Sequence, residues 1–268
     1  MPHPSDLADP GDALTGALRE FARVRRVLVA LDFDGTRAPE VDDPEKARAL
    51  PEARDAVLRL AALPGTRVAL VSGRSLTSLI AVTDLPDEVL LVGSHGIEIR
   101  LDEPGDPVGL DTTELERVDV LREVLEDVAD AIDDVWLESK PAGFALHTRL
   151  ATEEDSRRAH LVALREVGSE LEDLTVRHGK NVLEFAVRST TKGEAIEHLR
   201  RYTRADRVLY AGDDVTDEDA FAALEPDDVG VKSGEGPTQA AFRVGGPEEV
   251  ARVLSTLATF RGGDVHEQ

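Results

Sequence analysis

The chain has 268 residues, enough for one large domain or two small ones, and an apolar fraction of 41% that can fill a real core. Aromatics are only 4%, so that core is built from Val, Leu and Ala; with no cysteine there is no disulfide framework, thiol nucleophile or zinc–thiolate site. A net charge of −23 argues against nucleic acid and anionic membranes as partners. No apolar run approaches the roughly 18–20 residues that span a bilayer, and the N-terminal MPHPSDLADPGD lacks the basic and apolar regions of a secretory leader, so the cytoplasm is the expected location.

Taken in order, residues 11–26 read as an amphipathic helix with Leu14, Leu18 and Phe21 on one face. Residues 27–31, VLVAL, form an unbroken apolar run, the pattern of a strand buried on both faces of a parallel sheet. The run stops on Asp32-Phe33-Asp34-Gly35-Thr36. Side chains two apart on an extended chain point the same way, so Asp32 and Asp34 are presented together at the carboxyl end of a buried strand, where ligands bind in open α/β sheets. A polar loop over 40–49 leads to a helix over 51–62. Residues 67–71, RVALV, are a second buried-type strand, which runs into Ser72-Gly73-Arg74-Ser75 and a helix to about Val82. That turn reads equally as an anion site facing a helix N-terminus or as an ordinary turn with a Ser cap. Strands over 89–92 and 97–101 follow, separated by Gly93-Ser94-His95-Gly96, and then a Pro/Gly-rich stretch over 102–109.

Past that stretch the rhythm changes. A long helix over 112–132, a hairpin of strands at 135–139 and 144–148, a helix over 152–171 and a hairpin of strands at 174–177 and 181–187 make an α-β-β-α-β-β block. The α/β pattern resumes at Thr191, with a helix over 192–202 and a strand over 207–210 that runs into Gly212-Asp213-Asp214-Val215-Thr216-Asp217. A short helix over 220–224, a strand over 229–231, a Gly loop and a helix over 247–260 close the chain. The expected fold class is α/β: a doubly wound, mostly parallel, Rossmann-like core sheet formed by 1–101 and 188–268, with 102–187 inserted as an α+β cap.

Carboxylates gathered at the ends of two parallel strands make a hard-oxygen site suited to Mg²⁺. A carboxylate there can attack phosphorus, and a second, two residues on, can move the protons. The basic residues are nearly all Arg; lysine is confined to Lys46, Lys140, Lys180, Lys192 and Lys232, where a compact ammonium would matter if other signals coincide. Lys192 opens a helix in the same half of the chain.

Asp-Phe-Asp-Gly-Thr (32–36), Ser72, Lys192 and Gly-Asp-Asp-x-x-Asp (212–217) stand in the order and rough spacing of the haloacid dehalogenase superfamily of phosphohydrolases. That resemblance implies Asp32 as nucleophile and Asp34 as general acid/base, with Gly35, Thr36, Gly73 and Arg74 beside the substrate. It implies Ser72 and Lys192 as holders of the transferring phosphoryl group, and Asp32, Asp34, Asp213 and Asp214 as the Mg²⁺ set, with Asp217 behind them or an occasional ligand. A finer resemblance, over nearly the whole chain, is to the trehalose-6-phosphate phosphatase family. It rests on Val-Ser-Gly-Arg (71–74), Gly-Ser-His-Gly-Ile-Glu-Ile-Arg (93–100), Leu-Glu-Ser-Lys (137–140), Ala-Leu-His-Thr-Arg (145–149), Gly-Lys-Asn-Val-Leu-Glu (179–184), Thr-Lys-Gly-Glu-Ala (191–195) and Val-Lys-Ser-Gly-Glu-Gly-Pro-Thr (231–238). It implies that Glu138, Lys140, Lys180 and Glu184 hold and orient a sugar; on strand alternation alone the two Glu would read as exposed polar positions. His95, His147 and the single Trp, Trp136, are expected to be structural. Arg37 departs from the family pattern, which carries an apolar residue there; it is expected near a cleft mouth or in solvent beside Asp42 and Asp43.

The implied activity is Mg²⁺-dependent hydrolysis of trehalose 6-phosphate by a monomer acting on a small sugar phosphate. The alternatives are a related sugar-phosphate phosphatase, of the sucrose-phosphate or mannosylphosphoglycerate type, a catalytically silent sugar-phosphate sensor, and, more remotely, a calcium-binding protein.

Overall fold

The computed structural model describes residues 10–39, 46–102, 110–179 and 181–263. It divides into two compact units, one formed by Met1–Pro107 with Thr191–Gln268 and the other by Val108–Thr190.

The first unit is built on a seven-stranded sheet. Its strands are β1 (Val27–Leu31), β2 (Thr66–Val71), β3 (Leu90–Gly93), β4 (Glu98–Arg100), β9 (Arg207–Gly212), β10 (Val229–Ser233) and β11 (Phe242–Val244). The order across the sheet is β11-β10-β9-β1-β2-β3-β4. All neighbours run parallel except β3 and β4, the antiparallel pair at one edge. Every residue of β1 is buried, as its unbroken apolar run requires of a central parallel strand. Because β1 is followed by β2 on one side and only much later in the chain by β9 on the other, it marks the point where strand order reverses.

Helices α1 (Pro10–Ala22), α2 (Pro51–Ala61), α3 (Leu76–Thr83), α6 (Lys192–Thr203), α7 (Asp217–Ala222) and α8 (Pro247–Gly263) surround this sheet. Helix α8 packs on both α1 and α2, and α6 packs on β1 and α7. Leu14, Leu18 and Phe21 of α1 are buried, as the helical spacing predicts. One strand escapes the sequence reading: β11 is a three-residue edge strand, too short to show a period.

The second unit holds α4 (Thr112–Asp130), β5 (Trp136–Lys140), β6 (Gly143–His147), α5 (Glu153–Glu170), β7 (Thr175–Gly179) and β8 (Val182–Ala186). Its four strands form a separate antiparallel sheet in the order β5-β6-β8-β7. Phe144, Leu146, Leu183 and Phe185 bury one face of that sheet, and Leu121, Leu125, Val128, Ala159, Ala163 and Val167 are the buried positions of its two helices. A capping box starts α4, where Asp111 and Glu114 exchange side-chain and backbone hydrogen bonds. Thr152 caps α5 through Asp155 N–H.

Candidate functional site

Asp32 follows β1, Ser72 follows β2 and Asp213 follows β9, and these three strands are neighbours at the centre of the sheet. Leu31 lies in register with both Leu70 and Ala211, so the residues just beyond those strands come together at their carboxyl ends. One carboxylate oxygen from each of Asp32, Asp213 and Asp217 lies within 4.8 Å of the others. The Lys192 ammonium, at the first position of α6, sits on this cluster: Nζ donates to Asp32 Oδ1 at 2.9 Å and to Asp217 Oδ1 at 2.6 Å. All three of these side chains are nearly sealed from solvent.

Burial dominates the electrostatics. It pushes the Asp32 carboxyl up to about 8; Lys192 pulls the other way, and the charges of Asp217 and Asp213 add to the rise. Asp213 is raised as well, first by burial, with the Thr36 hydrogen bond opposing and the Asp217 charge adding. Burial by itself disfavours the Lys192 ammonium, but Asp32 and Asp217 outweigh it and hold the group well above its ordinary range. The pocket therefore crowds more negative charge than one ammonium relieves. Among the described residues its clustered donors are carboxylate oxygens, the set a hard divalent cation takes.

Asp217 is the keystone of the loop above the cluster. Its Oδ2 accepts the N–H groups of Asp213 and Asp214, each at 2.8 Å, and its Oδ1 accepts Lys192 and the Tyr210 hydroxyl, the latter at 2.5 Å. Asp213 is aimed from the other side. The Thr36 hydroxyl donates to Asp213 Oδ1 at 3.0 Å, and Gly35, at φ +66°, lies so close that a Cβ would stand 2.0 Å from Asp213 Oδ2. Ser233 Oγ holds the Gly35 carbonyl at 2.9 Å, and Lys232 Nζ donates to the carbonyls of Asp213 and Asp214. A cavity of about 440 Å³ opens here, lined by Gly35, Pro39, Asp213 and Ser233 among others.

Several of the expected residues take other tasks. Asp34 stands outside the three-carboxylate cluster: both its oxygens are taken by the Arg74 guanidinium, at 2.5 and 2.6 Å, so Arg74 touches Asp34 where substrate contact was expected. Asp214 is exposed and its Oδ1 accepts Val215 N–H; the third clustered carboxylate is Asp217, because the turn into α7 folds that side chain back beneath the loop. Gly35 and Thr36 orient Asp213, and Thr36 is fully buried. At Ser72-Gly73 the helix begins only at Leu76, and its first donors are already filled: Ser75 Oγ accepts Ser78 N–H and Glu98 Oε2 accepts Leu76 N–H. Ser75 therefore caps α3. Ser72 itself is buried, with its Oγ accepting Arg74 N–H at 3.2 Å.

Arg37 is neither at a cleft mouth nor in solvent. It is fully buried, and burial first, with the nearby Arg54 charge second, lowers its guanidinium to about 10.

In the second unit, Glu138, Ala145 and Glu184 pair in one row across β5, β6 and β8, and Lys140 shares the Glu138 face. Lys140 Nζ and His147 Nε2 meet the two Glu138 oxygens at 2.5 and 2.8 Å, and the Lys140 hydrogen bond is the main reason Glu138 titrates below its usual range. Trp136 stacks on His147, with ring centroids 5.1 Å apart, and Arg149 lies over the indole. This row of polar and aromatic groups contrasts with the apolar face beneath the helices. Lys180 falls outside the described residues, as do Asp42 and Asp43. Sequence reasoning did not assign Lys232, Tyr210 or Glu98. The scarcity of lysine was the available signal for Lys232, whereas Tyr210 is hidden in an apolar strand.

The trehalose-phosphatase family model matches residues 30–248. A bifunctional trehalose-6-phosphate synthase/phosphatase of Thermoproteus tenax is 34% identical over 89% of this chain, which spans only 33% of that longer protein. A probable trehalose-phosphate phosphatase of Oryza sativa subsp. japonica is 31% identical, covering 97% of this chain and 74% of the relative. The crystal structure of Aspergillus fumigatus trehalose-6-phosphate phosphatase superposes with a TM-score of 0.68 at 26% identity, over 94% of this chain and 97% of that one. No helix among the described residues is long and apolar enough to cross a membrane. With a family match over residues 30–248, most of its length, this chain belongs to the trehalose-phosphatase family of phosphoric-ester hydrolases.

Proposed function

We propose that this chain hydrolyses trehalose 6-phosphate to trehalose and phosphate, with Mg²⁺ as its metal. The observation that carries the reading is the buried cluster in which Lys192 bridges Asp32 and Asp217 beside Asp213. Asp32 and Asp213 would hold the cation; Asp217 has its oxygens committed to Lys192, Tyr210 and two backbone amides and supports them from behind. A bound cation would supply positive charge against the phosphoryl oxygens as negative charge spreads over them.

An Asp32 oxygen attacks phosphorus and the bond from phosphorus to the sugar oxygen breaks, leaving an aspartyl-phosphate. Asp34 gives a proton to the departing sugar oxygen. It then takes one from a water that attacks the same phosphorus, releasing phosphate and regenerating Asp32. Both Asp34 oxygens are now held by Arg74, so these transfers require that Arg74 yield one of them. Ser72 and Lys192 hold the phosphoryl oxygens. Residues 102–187 act as the specificity cap, in which Glu138, Lys140, Lys180 and Glu184 engage the sugar hydroxyls.

The test is phosphate release from trehalose 6-phosphate, sucrose 6-phosphate, glucose 6-phosphate and mannosylphosphoglycerate, with Mg²⁺ or with EDTA. Release confined to the trehalose ester and abolished by EDTA is the expected result. Release from another ester alone would keep the chemistry and replace the substrate. Asp32→Asn is expected to abolish turnover while leaving the circular dichroism spectrum unchanged, and a variant that still turns over would sink the aspartyl-phosphate.

A further inference from the structure

We propose that Glu98 is a positioning residue for the Ser72-Gly73-Arg74 turn, acting through a strained backbone pair at Ser94 and His95. The idea rests on the reading of Ser72 and Asp34 given above, and deepens it.

Ser94 and His95 both lie in the left-handed region, at φ 49° and 57°, which side chains other than glycine rarely adopt and almost never adopt in succession. The conformation has a use. Ser94 N–H donates to the Arg74 carbonyl at 2.7 Å, and His95 N–H to the Ser72 carbonyl at 3.0 Å. These two carbonyls flank Gly73, over which the His95 ring is packed so closely that a Cβ there would come within 2.6 Å of it. Ser72 N–H is fixed in turn by the Val92 carbonyl at 2.9 Å. The turn is thus gripped along its length by residues 92–95.

Glu98 fastens the grip. A single oxygen, Oε2, accepts the Ser94 hydroxyl at 2.7 Å and Leu76 N–H, the opening amide of α3, at 2.9 Å. Its own backbone is anchored in β4, paired with Gly93. One carboxylate therefore ties the strained pair to the helix that begins directly after the turn. Through Arg74, whose carbonyl is held by Ser94 and whose guanidinium holds Asp34, the same tie reaches the proposed acid/base. Glu98 touches neither the clustered carboxylates nor Asp34; its effect passes through backbone geometry. A free Ser94-His95 pair would relax toward ordinary φ, releasing both carbonyls.

The experiment compares the full chain with Glu98→Ala, Glu98→Gln and, as a control for lost stability, Leu18→Ala in the buried face of α1. Each is assayed with Mg²⁺ and trehalose 6-phosphate well below its Tm. The readouts are kcat and KM, inhibition by inorganic phosphate, and amide hydrogen exchange at Ser94 and His95. Glu98→Ala is expected to lower kcat by about 10- to 100-fold, the scale of a misplaced reacting group, to weaken phosphate inhibition, and to speed exchange at both amides. Glu98→Gln keeps an acceptor oxygen and is expected to recover most of each. Leu18→Ala is expected to lower Tm with kcat unchanged. If Glu98→Ala keeps kcat and phosphate inhibition near those of the parent, the proposal is overturned whatever its Tm. If the parent itself releases phosphate from none of the esters, the proposed function fails instead. Calorimetric binding of inorganic phosphate and the exchange of the two amides then judge the clamp, and unchanged values in Glu98→Ala overturn it.

Discussion

A guanidinium is costly to enclose without a partner, and Arg37 is fully buried with none of its three side-chain nitrogens hydrogen-bonded to a described residue. Its lowered value, about 10, means that folding disfavours the protonated form. The sign follows: at neutral pH both folded and unfolded chains carry the proton, so the cost is fully present, and it fades only as pH rises from about 10 toward the unfolded value. Arg37→Leu is therefore expected to stabilise the chain by on the order of 2 kcal/mol, with a rise in Tm of roughly 4–8 °C. Thermal unfolding by calorimetry checks it, and a fall in Tm would show that packing of the aliphatic stem outweighs the buried charge. Other residues followed their sequence signals more closely. Asp32 and Lys192 were legible from strand end and helix start, and the structure brings them together at 2.9 Å. Asp34 was legible as a carboxylate beside Asp32, but not as the partner of Arg74, 40 residues on, since spacing within a motif carries no information about a distant loop.

At the scale of the element, α6 illustrates how local chemistry sets up a costly placement. Lys192 occupies the first turn, where the helix dipole disfavours a cation. The acids Glu194, Asp32 and Asp217 compensate, and a capping box between Thr191 and Glu194 fixes the helix start. Thr191→Ala is expected to cost about 1 kcal/mol, read as a lower urea midpoint with an unchanged slope. No shift in midpoint would show that tertiary contacts alone hold the start of α6. Thr152 likewise caps α5, through Asp155 N–H. The edge strand was not legible in the sequence: β11 is short and half-exposed, and its pairing with β10 depends on a neighbour rather than on its own pattern.

At the scale of the whole molecule, the dominant fact is the charge of −23. Self-repulsion on this scale opposes compaction, and added salt screens it over a Debye length of about 10 Å at 0.1 M. Raising NaCl from roughly 0.05 to 0.5 M is expected to raise Tm by several degrees. An unchanged Tm, measured by scanning fluorimetry, would show that the acids are already neutralised by their ion pairs. Many of the ion pairs are solvent-exposed and contribute little, as Arg23–Glu20 and Arg165–Glu166 do at most.

By itself the sequence determined the α/β class, the buried central strand, the inserted block of a different rhythm and the strand ends at which carboxylates gather. These are local properties: apolar period, turn residues and the position of a motif relative to a strand. Only the tertiary structure decided which carboxylates share the buried site. Asp217 enters because α7 folds it back beneath its own loop, Asp213 is aimed by Thr36 from 177 residues away, and Asp34 leaves for Arg74. The reason is physical: a motif fixes which side chains are available at a strand end, whereas their partners arrive from loops that only the assembled sheet brings within a hydrogen bond's reach.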